Sequence, residues 1–143
     1  MRTVHDILEF KGRRVWSVAP DDKVLDALAL MARHEIGAVT VLAGERLVGI
    51  LTERDYARKV VLLGRSSRES PISDVMTREV ICVSPERKID ECMAIITGKR
   101  VRHLPVVEQK RLVGLVSIGD LVQATIAEQE QLIEHLQQYI AGY

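Results

Sequence analysis

The sequence is poor in aromatic residues and has no excess of charge of either sign. Its 143 residues include one Phe, one Trp and three Tyr, and twenty Lys and Arg balance twenty Asp and Glu. With so few aromatic rings the core must be aliphatic, and a flat ligand would have to sit between Ile, Val and Leu side chains. A zero net charge provides no global positive field, so we expect neither nucleic acid nor a membrane surface as a partner.

Cysteines and long apolar segments are also scarce. Cys82 and Cys92 form no CxxC pair, and we expect both to be buried, reduced thiols rather than metal ligands or a redox couple. No window reaches the roughly 18 consecutive apolar residues of a membrane-spanning helix. The first ten residues lack the cationic and apolar regions of a secretory signal. These absences predict a cytoplasmic protein.

An internal repeat dominates the chain. Shifting the sequence by 65 positions aligns residues 15–60 with 80–125 without a gap, and eleven of the 46 pairs are identical. Chance would give about three at average composition. A shorter similarity lies outside this alignment: Val4–Leu8, before the first copy, resembles Ile72–Met76, before the second. The predicted organisation is a first repeat, a polar linker, a second repeat and a helical C-terminal extension, over residues 1–64, 65–71, 72–127 and 128–143.

Each repeat has the pattern strand, helix, strand, strand, helix. The predicted strands cover residues 15–18, 39–42 and 47–51, and then 80–83, 104–107 and 112–116. The intervening helices carry apolar stripes at Val24, Leu28 and Met31, and at Ile89, Met93 and Ile96. A 65-residue unit buries only about 60% of its unfolded surface, so the copies should pack together around a pseudo-twofold axis, with clefts between them. The predicted class is α+β.

The last strand of each repeat ends in the same motif. It is Gly49-Ile-Leu-Thr-Glu-Arg-Asp55 in one copy and Gly114-Leu-Val-Ser-Ile-Gly-Asp120 in the other. One interpretation is a helix capping box, although Glu or Gln is usual where these motifs have Asp. The other is a ligand site, in which a hydroxyl and helix N-terminal amides bind phosphate and the carboxylate binds a ribose diol. The glycines would then allow backbone to approach backbone near the cleft.

Four features together resemble a tandem cystathionine-β-synthase (CBS) domain pair of the stand-alone bacterial type: the duplication, the lead-in segments Val4–Leu8 and Ile72–Met76, the turns Val18-Ala-Pro20 and Val83-Ser-Pro85, and the two strand-end motifs. The resemblance covers residues 1 to about 127. It implies β-α-β-β-α repeats, two equivalent clefts and an adenosine-containing ligand: AMP, ADP or ATP, with NAD as a further candidate and S-adenosylmethionine ranked below them. It also implies that Thr52 and Ser117 contact phosphate and that Asp55 and Asp120 contact ribose.

The two clefts should differ in charge. The first motif contains Arg54 and is followed by Arg58 and Lys59, which would suit a phosphate chain, whereas the second has no basic residue at these positions. A basic cluster on a helix can equally be a solvated face. By resemblance, the segments before each second strand line the base-binding ends of the clefts: Ile36, Gly37 and Ala38, and Val101, Arg102 and His103. Ile36 or Val101 would flank an adenine, and Arg102 or His103 would reach phosphates. We therefore predict unequal affinities for an adenine nucleotide.

The C-terminal segment continues a helical pattern beyond the second repeat. Apolar residues with one polar exception follow a heptad spacing: Val122, Ile126, Gln129, Ile133, Leu136 and Ile140. This helix either folds onto its own domain or packs against another subunit. Since CBS pairs commonly form disc-like homodimers, the resemblance implies a homodimer.

Three functions are compatible with the sequence. The first is a regulatory module that senses adenine nucleotides, as an energy or redox sensor, and acts on an unknown effector protein. The second is a structural or interaction module with vestigial clefts. The third, an enzyme, is disfavoured because HExxH, GxSxG and GxxxxGK[ST] motifs are missing and the four histidines are scattered. We expect no catalytic residues and no metal.

Overall fold

The computed structural model describes residues 2–142, and its mixed helices and strands confirm the predicted α+β class. The first part of the chain contains α1 (Val4–Lys11), β1 (Ser17–Val18), α2 (Val24–His34), β2 (Ala38–Ala43), β3 (Arg46–Thr52) and α3 (Glu53–Asp55), which continues as a π-helix over Tyr56–Val61. The second part contains a 3₁₀ turn (Ile72–Asp74), α4 (Ile89–Lys99), β4 (His103–Glu108), β5 (Arg111–Ser117) and α5 (Ile118–Ile140).

Each repeat is built on an antiparallel hairpin. Strands β2 and β3 pair from Ala38 opposite Thr52, and β4 and β5 pair from His103 opposite Ser117. Both hairpins shift register at corresponding positions, after Val41 in the first and after Val106 in the second. These four strands confirm the prediction, and each is one residue longer at both ends than the apolar run that predicts it.

The first strand of each repeat is shorter than predicted. Instead of a strand over 15–18, only β1 pairs, in parallel with β2. Instead of a strand over 80–83, the second repeat has a single bridge between Val83 and Val106. The prediction of a full strand is therefore wrong in both copies, and most clearly in the second.

Proline explains the weaker pairing in the second repeat. In the first repeat the Thr40 amide donates to the Trp16 carbonyl oxygen. The residue that corresponds to Thr40 is Pro105, which has no amide hydrogen to donate. Pro105 accepts a hydrogen bond from the Val83 amide at 3.0 Å instead. One donor is thus lost from the parallel ladder, and a single bridge remains.

Each lead-in segment packs in the core of the repeat that it does not precede in sequence. Val4, Ile7 and Leu8 of α1 are buried in the core formed by α4, β4, β5 and α5. The buried residues of the second lead-in, Ile72–Met76, belong to the core formed by α2, β2 and β3. Each repeat is therefore completed by a segment that lies, in sequence, next to the other. The two packing units do not coincide with the ranges 1–64 and 72–127.

The repeated glycines make room for these crossing lead-ins. A Cβ atom added to Gly114 would lie 2.7 Å from Leu8 Cδ2, and one added to Gly49 would lie 2.6 Å from Met76 Sδ. Of the two, only Gly49 is also close to backbone, since its added Cβ would lie 3.0 Å from the Thr77 carbonyl oxygen. The expectation of a backbone approach thus applies at Gly49, whereas Gly114 accommodates a side chain.

The two cysteines have different surroundings. Cys92 on α4 is fully buried, as predicted, at the position that Ala27 occupies on α2. Cys82 is exposed, so the prediction that both thiols are buried is wrong. Its neighbours Ile81 and Val83 contact the second core, and the alternation of an extended segment turns Cys82 away from it.

The last helix projects away from the domain. Leu121 and Ala124 near its start are buried in the second core, but every described residue from Glu128 onward is exposed. The alternative in which the whole helix folds onto its own domain is therefore wrong for its second half. Tyr143 lies outside the described residues. None of the helices over residues 2–142 is long and apolar enough to cross a membrane.

Candidate functional site

A cavity of about 530 Å³ lies between the two repeats. Such a volume is within the range of about 300–1,000 Å³ that small-molecule sites occupy. The first repeat and the segment after it contribute Gly37, Ile50, Thr52, Glu53, Arg54, Asp55 and Thr77. The second repeat contributes Arg100, Val101, Arg102, His103 and Ile118. The cavity therefore combines apolar side chains with charged groups of both signs.

The Thr52–Asp55 motif forms a reciprocal helix cap. The Thr52 amide donates to Asp55 Oδ2 at 3.0 Å, and the Asp55 amide donates to Thr52 Oγ1 at 3.2 Å. An aspartate is therefore long enough to close the capping box, and it does so again in Asp120, which accepts from the Ser117 amide at 2.8 Å. The unusual Asp of these motifs is no argument against a capping role.

Asp55 also binds groups from outside the cap. It is only 7% exposed, and its Oδ1 accepts from Thr77 Oγ1 at 3.0 Å and pairs with Lys59 Nζ at 3.1 Å. Oδ2 accepts from the amide and the hydroxyl of Thr52. Four donors thus converge on a carboxylate that has about four acceptor positions. A ligand hydroxyl would bind Asp55 by replacing Thr77 or Lys59.

The second motif is occupied by a lysine from α1. Lys11 Nζ donates to Asp120 Oδ2 at 2.7 Å and to the Leu115 carbonyl oxygen at 3.0 Å. The space beside Asp120 and Lys11 is only about 30 Å³. That volume is about enough for a single water molecule. Ser117 and Asp120 do not line the large cavity, so the two motifs have unequal surroundings.

The segments before β2 and β4 are placed differently. Val101, Arg102 and His103 all line the cavity. Of the corresponding residues only Gly37 does, because Ala38 is buried in the first repeat and Ile36 packs against the first core. The Gly37 and Arg102 carbonyl oxygens accept from the first amide of α3 and of α5, respectively. These bonds fix each segment against the start of a helix.

The basic residues of the first motif point in different directions. Arg54 lines the cavity, and its Nη1 donates to the Arg100 carbonyl oxygen at 2.9 Å, which ties the first repeat to the second. Lys59 is turned toward Asp55 and Thr77. Arg58 is exposed and is not among the residues that line the cavity. The arginines that line the cavity are Arg54, Arg100 and Arg102.

His103 faces the cavity in its neutral form at pH 7. Burial lowers the pKa of His103 from its usual 6.5, and Lys11 and Arg102 act in the same direction. The charges of Asp120 and Glu53 act in the opposite direction, but the net effect is a lowered pKa. The imidazole therefore contributes a neutral donor and acceptor to the cavity wall.

The lowered pKa of His103 predicts a loss of stability in mild acid. The unfolded chain takes up this proton near pH 6.5, whereas the folded chain does so only at lower pH. Protonation therefore favours the unfolded chain, so the free energy of unfolding is unaffected by His103 above about pH 6.5 and falls as the pH is lowered below it. Between about pH 7.5 and about pH 5.5, the free energy of unfolding should fall more in the wild type than in His103→Gln. Urea titrations at both pH values test this, and parallel losses in the two proteins would contradict it.

Several residues of this region are not evident from the sequence. Lys11, at the end of α1, contacts Asp120, and Thr77, just after the second lead-in segment, contacts Asp55. No local pattern in the sequence indicates either contact. Glu53, Arg100 and Ile118 are neighbours of predicted residues, so extending each predicted segment by one position would find them. Ile50 lies within the repeated strand end, where the apolar pattern indicates only a core position.

The comparisons with known proteins agree with this architecture. The family model "CBS domain" matches residues 3–62 and 72–127. The chain belongs to the CBS domain family. Both halves of the tandem pair match, as the internal repeat predicts.

Similar CBS proteins occur in several organisms. The mitochondrial CBS domain-containing protein CBSX3 of Arabidopsis thaliana is 41% identical over 150 residues, which cover 98% of this chain and 72% of that protein. The solved structure of a protein with CBS domains from Burkholderia ambifaria MC40-6 is 50% identical with a TM-score of 0.86, covering 89% of this chain and 96% of the other. The CBS domain pair of protein MJ0100, solved with 5′-methylthioadenosine and S-adenosyl-L-methionine, shares the fold at 23% identity, with a TM-score of 0.78 over 88% of this chain and 97% of that one.

Proposed function

We propose that this chain is a regulatory module that binds an adenine nucleotide in the cavity between its CBS repeats. The observation that carries the proposal is the convergence of Thr52, Asp55 and Arg54 with Val101 and His103 in one cavity of about 530 Å³. AMP, ADP and ATP are the ligand candidates, with NAD as a further one. The adenosyl ligands of the MJ0100 domain pair support the ligand class.

The cavity offers a separate environment for each part of a nucleotide. Ile50, Val101 and Ile118 provide aliphatic surface for an adenine ring. Asp55 provides a carboxylate for ribose hydroxyls, in exchange for its bond with Thr77 or Lys59. Arg54 provides positive charge for phosphate. That positive charge disfavours the sulfonium of S-adenosylmethionine, which ranks below the nucleotides for this reason.

The second motif is expected to bind a nucleotide much more weakly. Lys11 already holds Asp120, and the remaining space is about 30 Å³. A ribose would have to displace the ammonium group and move α1 outward. The proposal is therefore one strong site in each chain, which is the kind of inequality that the sequence predicts.

A thermal-shift titration tests the proposed function. A ligand that binds only the folded state stabilises it by about 2.7 kcal/mol at a concentration of 100 times its Kd. We expect AMP or another adenine nucleotide to raise the melting temperature, and guanine nucleotides of equal charge to raise it less. If no member of a panel of AMP, ADP, ATP, NAD and S-adenosylmethionine shifts the transition, the sensing role is wrong.

Replacing Arg54 should weaken nucleotide binding mainly through the phosphate, although it also removes the hydrogen bond to the Arg100 carbonyl oxygen. We expect Arg54→Met to lower the affinity for AMP about tenfold, since a charge-assisted hydrogen bond contributes about 1.5–3 kcal/mol and this side chain is partly solvated. The affinity for adenosine should fall less than the affinity for AMP, because adenosine has no phosphate. Arg58→Met is the matched control because Arg58 lies outside the cavity lining. Equal losses in both variants, measured by calorimetry, would indicate a general charge effect.

A structural module with vestigial clefts is the second candidate. The observation that favours it is the complete set of donors on Asp55, together with the Lys11–Asp120 pair, because both motifs are satisfied without a ligand. A flat response in the thermal-shift panel combined with a stable oligomer would support this candidate.

The remaining assignments follow from the proposed role. The partners would be a second copy of the chain in a homodimer and an effector protein whose identity is open; no nucleic acid or membrane is expected. A catalytic role is not proposed. Within residues 2–142 no three or more metal-ligating side chains form a cluster that could hold an ion. The cytoplasmic location stays a prediction.

A further inference from the structure

The helix that follows the first motif is wound differently from its counterpart in the second repeat. After Asp55 the chain forms the π-helix over Tyr56–Val61, in which the Leu62 amide donates to the Ala57 carbonyl oxygen, five residues back, at 3.1 Å. The corresponding segment of the second repeat belongs to α5, a regular α-helix. The two copies of the repeated helix therefore differ by one wide turn in the first.

The wide turn decides which residue enters the core. At the offset of 65, Lys59 corresponds to Ala124 and Val60 to Thr125. Ala124 is buried in the second core, at 1% exposure. In the first core the buried residue is Val60, also 1% exposed, which lies one place further along than the alignment predicts. Because burying an unpaired ammonium is costly, the wide turn puts Val60 in the core and keeps Lys59 out of it.

In this register Lys59 reaches the carboxylate of the candidate site. Its Nζ pairs with Asp55 Oδ1 at 3.1 Å and lies 3.5 Å from Thr77 Oγ1. Thr77 Oγ1 donates to the same Oδ1 at 3.0 Å. The two side chains therefore take up both acceptor positions of an oxygen that a ribose hydroxyl would use. A hydroxyl can bind there only when one of them leaves.

Lys59 can leave Asp55 more easily than Thr77 can. The Thr77 amide donates to the Ile50 carbonyl oxygen at 2.9 Å, and the Ile50 amide donates to the Thr77 carbonyl oxygen at 3.0 Å. These two bonds fix the Thr77 backbone beside Asp55. The Lys59 side chain is 41% exposed, and its flexible stem lets the ammonium turn into water without a change of the backbone. The group that a ribose hydroxyl replaces is therefore the ammonium.

We propose that Lys59 is an internal competitor for the ribose and thereby a specificity-determining residue of the nucleotide site. The inference rests on the proposed function and adds to it a selection between ligands. Every ligand with a ribose diol has to displace the ammonium from Asp55. The displaced ammonium stays near the site, where it attracts a phosphate group but gains no partner from an uncharged nucleoside. Lys59 therefore lowers the affinity for adenosine more than the affinity for AMP.

Calorimetric titration of adenosine and AMP into variants of the full chain tests the competition. Lys59→Met and Lys59→Asn both remove the ammonium, and the polar asparagine covers the case in which methionine enters the core. Lys59→Arg keeps the charge. Arg58→Met is the matched control because it removes the same charge at the neighbouring position, outside the cavity lining. The control ligand is 2′,3′-dideoxyadenosine, which lacks both ribose hydroxyls. Circular dichroism checks that each variant is folded.

The competition predicts a gain of affinity, which a merely structural role of Lys59 would not produce. Lys59→Met and Lys59→Asn should each bind adenosine about fivefold more tightly than the wild type, as expected when an ion pair with one exposed partner no longer has to be broken. The affinity for AMP should rise less, so the preference for AMP over adenosine should fall. Lys59→Arg and Arg58→Met should keep the wild-type affinity for adenosine. The dideoxy ligand should bind Lys59→Met no better than the wild type.

Other patterns would overturn the proposal. An affinity for adenosine that is unchanged or lower in both uncharged Lys59 variants, while AMP still binds, would exclude the competition and leave the proposed function standing. An equal gain in Arg58→Met, or with the dideoxy ligand, would also exclude it, because the effect would then not depend on the bond to Asp55. If neither AMP nor adenosine binds to any of the proteins, the proposed function is wrong and this inference is wrong with it.

Discussion

Asp55→Asn is expected to lower the affinity for AMP by about 10- to 100-fold, whereas Asp120→Asn leaves it within a factor of about two. Removing the charge of a buried acceptor costs a hydrogen bond to a charged group, about 1.5–3 kcal/mol. Asp55 lines the cavity between the repeats, and Asp120 is held by Lys11 outside it. Asparagine keeps the size of the side chain and an oxygen for the helix cap.

The same pair of variants separates binding from folding. Asp55 is also a cap and a partner of Lys59, so Asp55→Asn should lose some stability without a ligand. Calorimetric titration with AMP therefore needs to be done well below the melting temperature of each variant. Two identical sites, with equal losses in Asp55→Asn and Asp120→Asn, would contradict the unequal clefts.

Gly114→Ala is expected to destabilise the chain by about 1–3 kcal/mol, the usual cost of overpacking a core. The three atoms nearest to an added Cβ all belong to Leu8, at 2.7, 2.9 and 3.3 Å. Leu8 is 1% exposed, so it has little room to move away. Gly98→Ala is the matched control: nothing lies within 4 Å of its Cβ position. Alanine there should stabilise α4 by about 0.5–1 kcal/mol.

A double-mutant cycle shows whether the crossing of α1 causes the effect. Leu8→Ala alone should cost about 2–5 kcal/mol because it leaves a cavity in the second core. In that background Gly114→Ala should cost nothing further or should recover stability, since the clashing atoms are gone. Urea unfolding of the four proteins gives the coupling free energy. Additive losses would mean that α1 does not pack on Gly114.

Local patterns account for the hairpins and for the two helix starts. The β-branched runs of each copy, and their repetition at a fixed offset, predict β2 to β5 to within one residue at each end. The strand-end motifs predict helices that begin at Thr52 and Ser117, and each of these residues is an N-cap. These features depend on neighbouring residues, which is why a single sequence contains enough information for them.

Contacts between distant segments could not be predicted in this way. The exchange of the lead-ins puts Lys11 on Asp120 and Thr77 on Asp55, and no local periodicity indicates either contact. Of the basic residues predicted for the first cleft, Arg54 lines the cavity but Arg58 and Lys59 do not, and the other arginines of the lining are Arg102, which the sequence also indicates, and Arg100, which it does not.

The most direct test of the proposed site is a crystal structure of the chain grown with AMP. We predict one nucleotide in the cavity of each chain, with its ribose hydroxyls bound to Asp55, its adenine beside Val101 and its phosphate toward Arg54. Lys11 should remain on Asp120. A cavity that contains only water at saturating AMP, or a nucleotide bound at Asp120 with Lys11 displaced, would contradict the account.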